Sequence, residues 1–138
     1  MTYIPEHFKI QELVSRDMFI RNQHQPHKLW LLFDMYLLQE ADRLRKRYGA
    51  CYVNNWHNGG NLQGCGFREE RKATDFSQHH FGRALDLHFV KVTAEEVRQE
   101  LIKDCQQGRN EIIKGIELKV SWLHIDTRNS DKLFLFSA

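Results

Sequence analysis

The stretch SQHHFGRALDLHF, residues 77–89, decides how this chain is read. From Ala84 to Val90 it separates into two sets, with Leu85, Leu87 and Phe89 on one side and Ala84, Asp86, His88 and Val90 on the other. Alternation with a period of two marks a strand with one buried face. The polar set then places a carboxylate and an imidazole side by side on a sheet surface. His79 stands upstream, with Gly82 in between, and glycine permits the sharp turn that would fold His79 back toward the strand. These groups are expected to converge on one point.

A second stretch, VSWLHIDTR at 120–128, carries the same signature. Leu123 and Ile125 point one way; Val120, Trp122, His124 and Asp126 point the other. If the two strands are neighbours, His79, Asp86 and His124 meet in space. Two imidazole nitrogens and one carboxylate oxygen, with a fourth position open, suit a catalytic zinc ion. The mixed nitrogen and oxygen set fits zinc better than copper.

Outward from these strands, EHFKIQELVSRDMFI within residues 5–20 predicts one or two helical turns packed on the core. From His27 to Tyr48 the apolar residues Leu29, Leu32, Phe33, Tyr36, Leu37, Ala41, Leu44 and Tyr48 follow the spacing of one buried helix face. The basic run RLRKRY near its end complements the helix dipole and reads as a solvated terminus, with Gly49 as the stop. CYVNN at 51–55 predicts a short strand, and the glycine-dotted segment 56–76 predicts a long functional loop. Thr93 and Glu96 have capping-box spacing for a helix reaching about Gln107, with Val97, Leu101 and Cys105 turned inward. Strands are expected near 113–120 and 121–127, and LFLF at 133–136 could add another. The expected architecture is one α+β domain over residues 1–138, a small antiparallel sheet with helices packed on one side.

A chain of 138 residues buries a core without disulfide help. Its net charge of +2 is too weak to argue for nucleic acid as a partner. Cys51, Cys65 and Cys105 form no CxxC pair, so they read as reduced thiols and not as a thiolate zinc site. Neither a signal-peptide pattern nor an apolar run long enough to cross a membrane is present. The expectation is a monomer made in the cytoplasm, with no membrane partner.

SQHHFGRALD fits the pattern S-x-H-x-x-G-x-A-x-D, and SWLHID fits a W-x-H-x-D closing strand. Together they resemble the zinc D-Ala-D-Ala carboxypeptidase and endolysin family, relatives of lysostaphin-type enzymes and of the sonic hedgehog signalling domain. EHFKIQELV and the N-N-W-x-N-G-G-N…G-F-R segment extend the likeness over most of the chain. The resemblance implies a hedgehog/DD-peptidase-like fold and a peptidase that cuts the peptidoglycan stem peptide. It implies His79, Asp86 and His124 as zinc ligands and Arg68 as the residue that holds a substrate carboxylate or carbonyl. It also implies a phage-type role, acting on the cell wall after release or in a virion.

Many members of that family carry Glu or Asp three residues before the last histidine, as general base. Here that position is Ser121, which has no useful basicity near neutral pH. Glu117, seven residues before His124, is the expected base, although an undistorted strand would turn both it and Ser121 to the core side with Leu123. A bulge or turn between 117 and 121 is required to bring Glu117 around. Asp126 is placed to orient a ligand histidine instead, and His80 and His88 are further candidates for proton transfer or oxyanion support. Two rival readings stand beside the peptidase: a catalytically silent zinc-binding module with a virion or recognition role, and a metal-dependent nuclease. The nuclease lacks an acidic two-metal cluster and a basic groove.

Overall fold

The computed structural model describes residues 2–138. Three α-helices, α1 (Arg16–Arg21), α2 (Met35–Tyr48) and α3 (Ala94–Gln106), accompany five strands: β1 (Cys51–Tyr52), β2 (Ala84–Phe89), β3 (Gly115–Glu117), β4 (Leu123–Asp126) and β5 (Phe134–Phe136). The strands form one mixed sheet in the order β1-β2-β4-β3-β5. No helix among the described residues is long and apolar enough to cross a membrane.

The two strands singled out by their alternation are neighbours. β2 and β4 pair antiparallel with Leu85 opposite Ile125, Asp86 opposite His124 and Leu87 opposite Leu123. Because cross-strand partners share a face, the register sorts the apolar residues to one side and the polar ones to the other. Leu85, Leu87, Leu123, Ile125 and Ile116 join one core with Leu37, Leu38, Ala41 and Leu44 of α2 and Val97 and Leu101 of α3. The polar face is not the solvated surface that the alternation suggests, for Asp86, His124 and Asp126 are all buried. A loop covers β2 on the side that short β1 leaves free: Asp86 N donates to Cys65 O at 2.9 Å, and Phe67 N to Leu13 O at 2.8 Å.

The sheet departs from the expected all-antiparallel arrangement at its far edge, where β5 runs parallel to β3. Gly115 at the start of β3 faces both Asp126 at the end of β4 and Phe134 at the start of β5. The 127–133 connection therefore crosses β3 at one end of the sheet and sets β5 off in β3's direction.

The expected long helix is also interrupted. Pro26–Leu32 is a 3-10 helix, and α2 begins only at Met35, after Asp34 in extended conformation. Asp34 N donates to Gly82 O at 2.9 Å, and Thr127 Oγ1 donates to Asp34 Oδ2 at 2.7 Å. These tertiary bonds hold the chain out of the helix where periodicity alone would continue it. Leu29, Trp30 and Phe33 still reach the core.

Residues 118–122 form a turn, not strand, with Lys119 at φ 62°. Ser121 lies in this turn and is exposed, which corrects its expected inward position. α3 keeps its expected start, because Thr93 Oγ1 accepts from Glu96 N at 3.1 Å. Arg98 on α3 is itself fully buried and donates to the carbonyls of Val120 and Trp122, fixing the 118–122 turn against the helix.

Candidate metal centre

His79 sits in a 3-10 turn, Gln78–Phe81, that closes on Gly82 at φ 69°. A Cβ on Gly82 would run into the Leu32 carbonyl, so glycine is required both for the turn and for this close approach. The turn folds His79 over β2 as the sequence suggests. His79 Nε2 lies 3.2 Å from Asp86 Oδ1, and His124 Nδ1 lies 2.9 Å from the same oxygen. One ligand atom from each of the three residues lies within 4.8 Å of the others, and all three residues are buried.

Each histidine's other nitrogen is spoken for. His79 Nδ1 is 2.8 Å from the Gly66 carbonyl and, facing an acceptor, donates to it. His124 Nε2 is 2.8 Å from Asp126 Oδ2 and donates in the same way. Both remaining lone pairs then face Asp86 Oδ1, itself an acceptor. Three acceptors brought together require positive charge between them, supplied by protons or by a cation. The three ligand atoms lie within 4.8 Å of one another, close enough for one metal ion to be shared among them. The donor set, its burial and its convergence thus fit a metal ion.

The supporting shell is equally specific. Asp126 receives both the His124 ring and the fork of Arg128, with Nε to Oδ1 at 2.8 Å and Nη2 to Oδ2 at 2.6 Å. Arg128 in turn lies over the rings of Phe134 at 4.9 Å and Phe136 at 4.8 Å. Phe136 also meets His124 edge-on, with ring centroids 5.4 Å apart. Gly115 is the only residue type that leaves room for Asp126, since a Cβ there would collide with its carboxylate. Carboxylates placed behind a ligating histidine fix its tautomer and raise its basicity.

Electrostatics follow from this packing. Burial works to raise the Asp86 carboxyl, but hydrogen bonds from His124 and His79 outweigh it and hold the group well below the usual carboxylate range. Burial likewise opposes ionisation of Asp126, and Arg128 and His124 overcome it, lowering that carboxyl to about 2. For His124, burial disfavours the charged ring, while Asp126 and Asp86 prevail and raise it to about 9.

A cavity of about 470 Å³ opens onto this centre. Arg68 and Glu117 both line it, together with His79, Asp86 and His124. Arg68 donates from Nε to Gly64 O at 2.8 Å and holds Nη2 3.8 Å from Asp86 Oδ2. Glu117 reaches the site face through the sheet. β3 pairs with β4 at Gly115–Asp126 and Ile116–Ile125, and the same register carried one residue further sets Glu117 opposite His124. The 118–122 turn supplies the change of face that a continuous strand could not.

His80 and His88 stand elsewhere. His80 bridges Asp75 Oδ2 and the Arg68 carbonyl, each at 3.0 Å. His88 lies 3.5 Å from Cys65 Sγ and stacks on Tyr52. Neither lines the cavity. Sequence reasoning missed Arg128, although continuing the alternation Trp122, His124, Asp126 by one more step would have found it. The Gly66 carbonyl and the two β5 aromatics carried no such signal.

Comparison of the chain with protein-family models, with curated proteins and with solved structures finds no match. The structure itself supplies a buried group, His79, Asp86 and His124, able to hold a metal ion.

Proposed function

We propose that this chain is a zinc metallopeptidase that hydrolyses peptide bonds of the peptidoglycan stem, built on a hedgehog/DD-peptidase-like scaffold. The observation that carries the reading is the convergence of His79 Nε2 and His124 Nδ1 on Asp86 Oδ1 in a cavity also lined by a buried carboxylate, Glu117. When bound, zinc supplies Lewis acidity, which polarises a carbonyl and makes water nucleophilic near neutral pH. Glu117 accepts the proton of the attacking water and delivers it to the leaving amine. Arg68, whose side chain is 41% exposed and lines the cavity, keeps donors free to bind a substrate carboxylate or carbonyl. Asp126, held by Arg128, keeps the His124 ring in the tautomer that leaves Nδ1 for the metal. The choice of peptidoglycan rests on the resemblance of SQHHFGRALD and SWLHID to cell-wall peptidases. The same likeness, with its phage members, supports action on the wall after release or in a virion.

The exposed Ser121, at the position where many members of that family carry an acid, favours the silent metal-binding module as second reading. Digestion of purified peptidoglycan, with and without chelator, followed by mass spectrometry of the muropeptides separates the two. New, chelator-sensitive peptide termini are expected, and their mass identifies the bond. An unchanged muropeptide profile with zinc-loaded protein would leave the silent module.

A further inference from the structure

The stretch SQHHF carries two histidines in tandem, and the metal centre draws only on His79. His80 is nearly as enclosed, its side chain 6% exposed, yet it takes no part in the cavity lining. Its ring bridges two oxygens, with Nδ1 3.0 Å from Arg68 O and Nε2 3.0 Å from Asp75 Oδ2. Both oxygens belong to the loop that enters the site at Arg68.

That loop has little else to hold it. Phe67 is its last anchor in the core, donating through its N–H to Leu13 O at 2.8 Å and meeting Phe33 edge-on. From Glu69 to Thr74 every residue is exposed, so apolar burial does not fix the segment. Ser15 donates to Glu69 at the outer surface. Arg68 stands at the border, and the histidine pair takes both of its main-chain groups. The Arg68 N–H donates to His79 O at 3.1 Å, and the Arg68 carbonyl meets the His80 ring. Asp75 closes the far end of the loop, accepting from Ser77 N at 2.9 Å through Oδ1 while Oδ2 faces His80. The Arg68 side chain thus leaves a held backbone toward the cavity, with Nε on Gly64 O at 2.8 Å and Nη2 3.8 Å from Asp86 Oδ2.

We propose that His80 is a positioning residue for Arg68, and that Asp75 orients the His80 ring for that task. This rests on reading Arg68 as the residue that holds a substrate carboxylate. It gives each of the adjacent imidazoles its own side of the site, His79 toward the metal and His80 toward the arginine. A guanidinium fork binds a carboxylate through paired N–H bonds of fixed geometry, so a displaced backbone costs affinity even where the charge is kept. His80 acts through Arg68 and touches neither substrate nor metal.

The test titrates N-acetyl-D-alanine, a carboxylate probe, and its uncharged carboxamide into the zinc-loaded full chain, followed by proton–nitrogen spectra. His80→Phe keeps a ring of similar size but offers neither bond. It should weaken the carboxylate about 2- to 12-fold, the equivalent of one net hydrogen bond, with zinc per chain and carboxamide binding unchanged. His80→Asn, whose amide can donate to the Arg68 carbonyl in place of Nδ1, should recover most of that loss. In an Arg68→Ala background His80→Phe should have no further effect, because residues acting through one group are not additive. Asp75→Ala alters a partly exposed residue outside the core and should weaken the carboxylate in the same sense, so the test does not depend on how well His80→Phe folds. Multiplying losses in the double variant, equal weakening of both probes, or a wild type that does not bind the carboxylate overturns the proposal. Muropeptide digestion by the same preparations keeps the two ideas apart. Cleavage with multiplying losses sinks the role of His80 and leaves the peptidase, while a non-additive pair without cleavage keeps that role and sinks hydrolysis.

Discussion

The two faces of the central strands are written in alternate residues of the same short stretches, yet they contribute to the molecule in opposite ways. On one face Leu85, Leu87, Leu123 and Ile125 are fully buried against α2 and α3. Their burial stabilises the fold unconditionally. On the other, Asp86, His124 and Asp126 are nearly as buried but bring charge with them. Desolvating ions costs several kcal/mol each, and well-packed apolar residues in their place often stabilise a protein. What offsets the cost here is a closed set of hydrogen bonds from Gly66 to His79, Asp86, His124, Asp126 and Arg128. The composition of this face makes sense as a ligand site.

That contrast can be broken most decisively at a ligand. His79→Ala should leave the purified protein without stoichiometric zinc by elemental analysis, whereas His80→Ala should keep about one ion per chain. Equal loss in both would show that the centre has been misassigned. Next in size, Glu117→Gln should retain fold and zinc yet lose about 10²–10⁴ in the rate of stem-peptide hydrolysis, the usual cost of removing a general base. Ser121→Ala, altering an exposed turn residue, should stay within a few-fold of wild type in the same assay.

On the apolar face, Leu87→Ala should lower stability by about 2–5 kcal/mol in urea unfolding, with zinc per folded chain unchanged. A loss of zinc from the folded fraction would mean that the two faces are not separable. Asp126→Asn removes the carboxylate behind His124 and should weaken zinc about 10- to 100-fold in competition with a chelator. Unaltered affinity would reduce Asp126 to a packing role.

The smallest effect is in pH. His124 in the metal-free protein is raised from 6.5 to about 9, so its contribution to stability is complete below about 6.5 and is lost as pH climbs through about 9. Asp86 and Asp126 are lowered from 3.8, so theirs is present above that value and is lost as pH falls toward the folded values. Unfolding midpoints in chelator should therefore be highest between about pH 4 and 6.5 and decline toward pH 9. Stabilisation by added zinc should increase over the same upper range, because the ion must displace the His124 proton. A metal-free midpoint that rises from pH 6.5 to 9 would contradict the charged His124.

Much of this face was legible because strand alternation is a local property. Asp86 and His124 could be placed on one side of a sheet from their immediate neighbours, and Gly82 explained how His79 could join them. Thr93 and Glu96 likewise announced α3. What was not legible depended on contacts between distant residues. No proline or glycine marks the break before Met35; the hydrogen bonds that Asp34 donates to Gly82 and accepts from Thr127 make it. The direction of β5 depends on which edge it joins, a choice unrelated to the pattern FLF. Glu117 reaches the cavity because the chain turns at 118–122, where Lys119 takes a left-handed conformation that no residue type there advertises. The burial of the polar face was hidden too, since the loop that covers it is polar and glycine-rich.

The strand order has a consequence in time. Asp86 and His124 are 38 residues apart in the chain, and between them lie α3 and all of β3. No short fragment holds the centre, and β2 must meet β4 across that span before the ligands are assembled. Pairings of this kind form slowly, because loop closure precedes the contacts that reward it. A metal ion held by the proposed centre would meet a sheet already docked, and interactions absent from the folding transition state act on the unfolding rate. Such an ion would slow unfolding and do little to hasten folding.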